Sequence, residues 1–295
     1  VLAIILATAP ADTAADPMLR GPVQLTFARD FHKAGESYFS DDGTRVIFQA
    51  IEAPGEGGEP AQHYAMYVAD VQHDDEGRVT GLSDARQISP PGSSNTCGWF
   101  YPGRNDRVLF ATTTTPPVQE NAPGYQRESG SYEWMFPPEM NIVAVNLAAA
   151  DGTSSVFEPL VTDNRSYVAE GSISPDGRHL LYTSLATGDG DLYVKDLQTG
   201  TERLLVGAPG YDGGPFFSPD GRRITYRSDR RDNDLLQIFI SELAFDEDGA
   251  ITGIDREFQL TDNGHVNWCP FWTRDGRQLV YATSAVGHHN YEVFM

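Results

Sequence analysis

Few residues of this 295-residue chain combine a reactive type with a telling spacing, and several of them fall at one recurrent place. Counted back from five similar tight turns, Glu36, Cys97, Glu170, Gly214 and Cys269 occupy an equivalent position. Two carboxylates set this way could share a cation, or one could hold the other's pKa up for acid–base work. Three imidazoles, His265, His288 and His289, lie near the C-terminal end. No cofactor is expected otherwise; together with Glu36 and Glu170 these histidines are candidate ligands for a divalent cation. Adjacent His288 and His289 would point apart on a strand, which weakens that set. The two thiols belong to non-adjacent repeats, and a disulfide needs Cα atoms within about 7 Å, so neither is expected to be bridged. Serine, histidine and aspartate are plentiful, but no Gly-x-Ser-x-Gly elbow exposes a nucleophile, so no catalytic residue is assigned. The charge run Asp229–Asp234 lacks the spacing of a twelve-residue calcium loop and reads as solvated loop.

The elements that must hold these residues are set by repetition. Five times an apolar or aromatic run enters a tight turn and leaves through an apolar triplet ending in Phe or Tyr. The copies are Tyr38-Phe39-Ser40-Asp41-Asp42-Gly43 into Val46-Ile47-Phe48, Trp99–Gly103 into Val108-Leu109-Phe110, and Ile173-Ser174-Pro175-Asp176-Gly177 into Leu180-Leu181-Tyr182. Phe217–Gly221 into Ile224-Thr225-Tyr226 and Phe271–Gly276 into Leu279-Val280-Tyr281 complete the set. Proline, aspartate and glycine suit successive positions of a turn, so each copy predicts a β-hairpin. A third strand follows each hairpin (Met66–Val68, Ile142–Val145, Leu192–Val194, Ile238–Ile240, Val293-Phe294), and in most copies a fourth. Repeated four-stranded antiparallel units are the blades of an all-β propeller, because one blade cannot bury both faces alone.

The expected organisation is a leader remnant and linker at 1–21 and a propeller over 22–295. The blades are set at about 31–89, 95–162, 168–206, 212–261 and 267–295. The strand 22–27 is expected to complete the last of these and close the ring; a six-bladed propeller cut short is the alternative. Val1–Ala11 looks like the back half of a secretory signal, with Ala9-Pro10-Ala11 as the small-x-small cleavage site, so the expected location is periplasmic or secreted. No later stretch is long and apolar enough to span a membrane. With 42 acidic against 21 basic residues the formal charge is −21, a field that repels nucleic acid.

Inner strands of a propeller converge on a channel, and the loops between outer and next inner strands share one face with the loops between second and third strands. That placement predicts a ligand or partner site at the channel mouth made by Glu36, Glu170, Tyr211, His265 and Trp268. The insertion Thr113–Glu139, with its aromatic and proline-rich run, would add Tyr132 and Trp134 at the rim.

The Ser-Pro-Asp-Gly-Arg phrases, followed by Asp-Leu-Tyr-Val-Lys-Asp-Leu or Gln-Ile-Phe-Ile-Ser-Glu-Leu, resemble the TolB-like, WD40-like (PD40) propeller repeat over about 22–295. TolB itself carries an α/β domain ahead of its propeller, so the likeness is to the repeat and not to TolB. It implies a propeller of a group that is commonly six-bladed and often extracytoplasmic. The expected molecule is a monomeric periplasmic or secreted propeller that binds a protein or peptide through its loop-rich face and is non-catalytic on its own. Two other readings stay open. Oligogalacturonate lyases are propellers of related repeat type with a histidine-held metal, which implies a polysaccharide-active enzyme. Propellers also precede the hydrolase domain of prolyl-oligopeptidase-type enzymes, which implies a gating or recognition part of a larger peptidase.

Overall fold

The computed structural model of the chain describes residues 22–118, 124–126, 131–133, 136–147, 156–231, 233–287 and 291–295, with 124–126 and 131–133 described by their backbone alone. The expected leader remnant 1–21 lies outside the described residues. Every helix or strand element among them is a strand. None is a helix long and apolar enough to cross a membrane. Two compact units are distinguished: Val1–Val108, Thr112–Met135 and Ala144–Glu158 form one, and Leu109–Ala111, Phe136–Val143 and Pro159–Met295 the other.

In the first unit, β1 (Phe31–Phe39), β2 (Arg45–Glu52), β3 (Ala65–His73) and β4 (Val79–Gln87) form an antiparallel sheet in chain order. Its apolar face packs Val46, Phe48, Ala50, Tyr67, Ala69 and Val71 together, with Phe31 set edge-on to Phe48 and Tyr67. The stretch 22–27, expected to be a strand, is not one. A strand is defined by ladder bonds to a neighbour; here Gln24 Nε2 instead donates to Thr26 O two residues on, at 2.8 Å. Val23 to Thr26 border a small apolar hollow with Ala34, Val46, Phe48 and Leu82.

The second sheet comprises β5 (Asn95–Tyr101), β6 (Arg104–Thr112), β9 (Asn141–Asn146) and β10 (Glu158–Val161), ordered β10-β9-β6-β5, and its residues are divided between the two units. Between β6 and β9 the chain makes a separate two-stranded hairpin, β7 (Gly124–Gln126) with β8 (Ser131–Glu133).

The second unit holds three further sheets. β11 (Val168–Ile173), β12 (His179–Ser184), β13 (Asp191–Asp196) and β14 (Glu202–Val206) form one; β15 (Asp212–Phe217), β16 (Arg223–Ser228), β17 (Gln237–Phe245) and β18 (Ile251–Gln259) the next; β19 (Asn267–Trp272), β20 (Leu279–Thr283) and β21 (Glu292–Phe294) the last, which has three strands. β11 and β12 are buried along their whole length and β15 along most of it, whereas β14 and β18 are mostly exposed, so the first two of these sheets run from a buried first strand to a solvated fourth. Leu181, Leu192 and Val194 of the third sheet pack against Ile224, Tyr226 and Phe239 of the fourth in one core. The fold class is that of a five-bladed β-propeller.

The repeated turns are built alike. The amides of Gly43, Gly177, Gly221 and Gly276 donate to the carbonyls of Ser40, Ser174, Ser218 and Thr273, each at 2.8 Å. Each of these glycines has φ between 67° and 76°, the left-handed region that glycine occupies at no steric cost. The aspartate before each accepts from the Ser or Thr hydroxyl and from the next amide but one, which lowers its pKa. In the second unit a methyl group on Gly221 would meet Pro175 at 3.5 Å, and one on Gly276 would meet Pro219 at 3.4 Å. The three turns of this unit therefore lie side by side, each proline against the next glycine.

Candidate functional site

The equivalent position read from the repeats is a distinct backbone feature. Glu36, Cys97, Glu170, Gly214 and Cys269 all have positive φ, at 43°, 52°, 59°, 59° and 51°. Four of them sit where the pairing of first and second strands slips: between Gly35 and Tyr38, Ala169 and Ser172, Gly213 and Phe216, and Trp268 and Phe271. Such a bulge re-aims one side chain out of the ladder. Held in the left-handed region, a non-glycine residue costs of order 1 kcal/mol, which its contacts must offset.

Glu170 shows what offsets it. The carboxylate is buried, with 8% of the residue exposed. Tyr211 Oη (2.6 Å) and Arg227 Nη2 (2.7 Å) donate to Oε1, and Gly214 N (2.6 Å) and Thr183 Oγ1 (2.8 Å) donate to Oε2. Burial alone would push this carboxyl up, but the Arg227 charge and the hydrogen bonds outweigh it and hold the pKa below its ordinary value. Glu170 thus joins β11 and β12 to the bulge of β15 and to β16.

Arg227 is the centre of the arrangement. Its guanidinium lies 3.9 Å from the centroid of the Trp268 ring and 5.6 Å from that of Tyr211, distances at which a cation is attracted to the aromatic face. Phe136 continues the group, 4.9 Å from the Tyr167 ring and 6.0 Å from the Tyr211 ring. Glycines make the room. A Cβ on Gly214 would fall 2.1 Å from Arg227 Nη1, and Cβ atoms on Gly190 and Gly213 would fall 2.4 Å and 2.2 Å from atoms of Tyr211.

Of the residues expected at the site, Glu170, Tyr211 and Trp268 are brought together. Arg227 was missed; the available signal was Gly213-Gly214 paired opposite an arginine in a strand of buried residues. Glu36 makes its described contacts in the first unit, accepting from Thr96 Oγ1 at 2.8 Å and Cys97 Sγ at 3.3 Å. Both cysteines are thiols, not halves of a disulfide. His265 shapes a loop with its backbone: its amide donates to Asn263 Oδ1 at 3.1 Å, and its carbonyl accepts from Gln237 and Asn267. Tyr132 lies in β8 opposite Tyr125. Trp134, His288 and His289 lie outside the described residues. Among the described residues no three His, Cys, Asp or Glu side chains converge as metal ligands, and Glu170 already has four donors.

A family model described as the TolB beta propeller domain (PD40) matches residues 139–291, just over half of the chain. The chain belongs to this family. Dipeptidyl-peptidase 5 of Porphyromonas gingivalis is 33% identical over 118 residues, 36% of this chain and 16% of that protein. The Tol-Pal system protein TolB of Francisella tularensis subsp. holarctica is 26% identical over 132 residues, 41% of this chain and 30% of TolB. The chain therefore spans under a third of either relative's length. A solved structure described as a putative TolB from Agrobacterium tumefaciens superposes with a TM-score of 0.55 at 17% identity, covering 88% of this chain and 76% of the other, a likeness of fold.

Proposed function

We propose that this PD40 propeller is an extracytoplasmic protein- or peptide-binding module, non-catalytic on its own, that uses the aromatic patch around Arg227. One observation carries the reading. Phe136, Tyr211 and Trp268, each half-buried, are gathered with Tyr167 about a buried arginine whose acidic partner is saturated by internal donors. A saturated carboxylate is poorly suited to take or give a proton. Rigid tyrosine, tryptophan and arginine side chains are the types that dominate binding energy at protein interfaces, and their fixing in advance lowers the entropy cost of association. The Tol-Pal relative and the leader-like residues 1–11 support a periplasmic or secreted location.

The match to a dipeptidyl-peptidase favours a second reading, in which the same patch recognises substrate or docks a hydrolase domain for a larger peptidase. Site-specific photo-crosslinking tests both. A photoreactive residue at Trp268 or Tyr211 should label one defined protein in the cell envelope, and one at Arg277, on a turn, should not. Equal labelling from all three sites overturns the patch. Divalent-cation-dependent cleavage of a polysaccharide by the purified chain would replace both readings with an enzyme.

A further inference from the structure

Two residues before each of the five positive-φ positions, the first strands carry Ala34, Asn95, Val168, Asp212 and Asn267. The asparagines do one job. Asn95 Nδ2 donates to Tyr64 O at 2.8 Å and Ser93 O at 3.0 Å; Asn267 Nδ2 donates to Leu236 O at 3.2 Å and His265 O at 3.1 Å. In both, the acceptors are the carbonyl two residues back and the carbonyl that leads into the preceding sheet's third strand. The amide therefore ties the incoming loop to the sheet before it.

Asp212 stands at this place in the fourth sheet. Its backbone follows the same plan, with Asp212 N donating to Gly190 O at 2.7 Å as Asn267 N does to Leu236 O at 2.9 Å. The side chain is wholly buried, at 0% exposure. Oδ2 accepts from Ala208 N at 3.0 Å, while Oδ1 has no hydrogen-bond partner. An ionised carboxylate only accepts, and so do the carbonyls that the asparagines address. A protonated carboxyl has one O–H to donate and then matches the asparagine amide in shape and function.

We propose that Asp212 is a proton-operated latch between the third and fourth sheets: protonated, it donates as Asn95 and Asn267 do, and ionised, it leaves that joint open. Several groups face it. Asp191 of β13 adds a like charge, and its own carboxyl is pushed up by burial, with Asp189 beyond it. Ser228 of β16 and Arg230, whose Nε lies 3.9 Å from Oδ1, act the other way. Burial prevails and pushes the carboxyl from its ordinary 3.8 up to about 6. The latch thus works between mildly acidic and neutral surroundings. Next to it in sequence is Tyr211, whose ring lies against Gly190 and Gly213, so the joint underlies the aromatic patch.

The test is the urea unfolding equilibrium of the wild type and of Asp212→Asn between pH 4 and pH 8. A carboxyl whose folded pKa is raised keeps its proton on folding. Its contribution is fully present below about 4 and is lost as pH rises through about 6. Taking the difference between the two proteins cancels the carboxylates that do not interact with Asp212; Asp191 stays part of the measured difference. The variant and the wild type should be similar near pH 4, and at pH 8 the variant's unfolding constant should be lower by about 100-fold, the factor two pKa units give. A difference that does not change with pH overturns the latch, as does a variant less stable throughout. Carbon-13 NMR titration of the Asp212 carboxyl in the unaltered chain gives a reading that needs no variant. A midpoint near 6 supports the latch, and one near the ordinary 3.8 overturns it.

Discussion

Replacing Glu170 by glutamine changes one oxygen to nitrogen, and the geometry says this will be costly. Each carboxylate oxygen receives one donor that can turn away and one that cannot. Tyr211 and Thr183 have rotatable hydroxyls, but Arg227 Nη2 at Oε1 and Gly214 N at Oε2 are fixed donors. Whichever way the glutamine amide flips, its NH2 faces one of them. Arg227 meanwhile loses its counter-charge with only 7% of its side chain exposed. Breaking a buried ion pair from one side costs about 3–5 kcal/mol, a large share of the 5–15 kcal/mol that holds a typical domain. Urea unfolding followed by tryptophan fluorescence should show Glu170→Gln destabilised by about that amount. The double variant Glu170→Leu with Arg227→Met removes both charges and should recover at least about 1 kcal/mol relative to the single change, with non-additive coupling. The acid limb gives a second check. Because the folded pKa of Glu170 is lowered, the pair's contribution is present above its ordinary 4.5 and is lost as pH falls below that value; the glutamine variant should lose this part of the acid dependence. A glutamine variant within 1 kcal/mol of wild type, or single effects that simply add, would refute the account of a saturated buried carboxylate.

Gly213→Ala should cost about 1–3 kcal/mol, since its methyl would lie 2.2 Å from Tyr211 Oη, whereas Gly264→Ala, with nothing within 4 Å, should be near neutral; urea midpoints compare them. Asn267→Asp should move the latch chemistry into the fifth sheet. Its loss of stability should be about 1–3 kcal/mol at pH 8 and smaller at pH 4, read from the same unfolding curves; a loss that is equal at both pH values would count against the carboxyl–carbonyl conflict.

Much of the fold was legible because its signals are local. A Ser-Pro-Asp-Gly turn carries its own hydrogen bonds between residues 174 and 178, and the apolar triplet Leu180-Leu181-Tyr182 that follows needs no distant information to read as a strand. The bulge position was legible too, since counting back from the turns found five residues that share a left-handed backbone. The stretch 22–27 was misread because its composition matches a fourth strand while strand formation depends on a neighbour. The partners of Glu170 were not visible for a similar reason. Thr183, Tyr211, Gly214 and Arg227 are 13 to 57 positions away, and only the register of three strands brings them to one carboxylate. Arg227 in particular was not singled out, because its closeness to Gly213 and Gly214 depends on strand pairing.

The bulges separate chemical identity from scaffold geometry. Glutamate, cysteine and glycine occupy the same backbone state in successive repeats, so the ladder on either side does not depend on which side chain is present. Each bulge is in effect a socket of fixed aim, and changing its occupant exchanges an acid for a thiol or for empty space without re-threading a strand. Asparagine, the residue that tolerates the left-handed region best after glycine, is the natural first insert for anyone wishing to place a new group there.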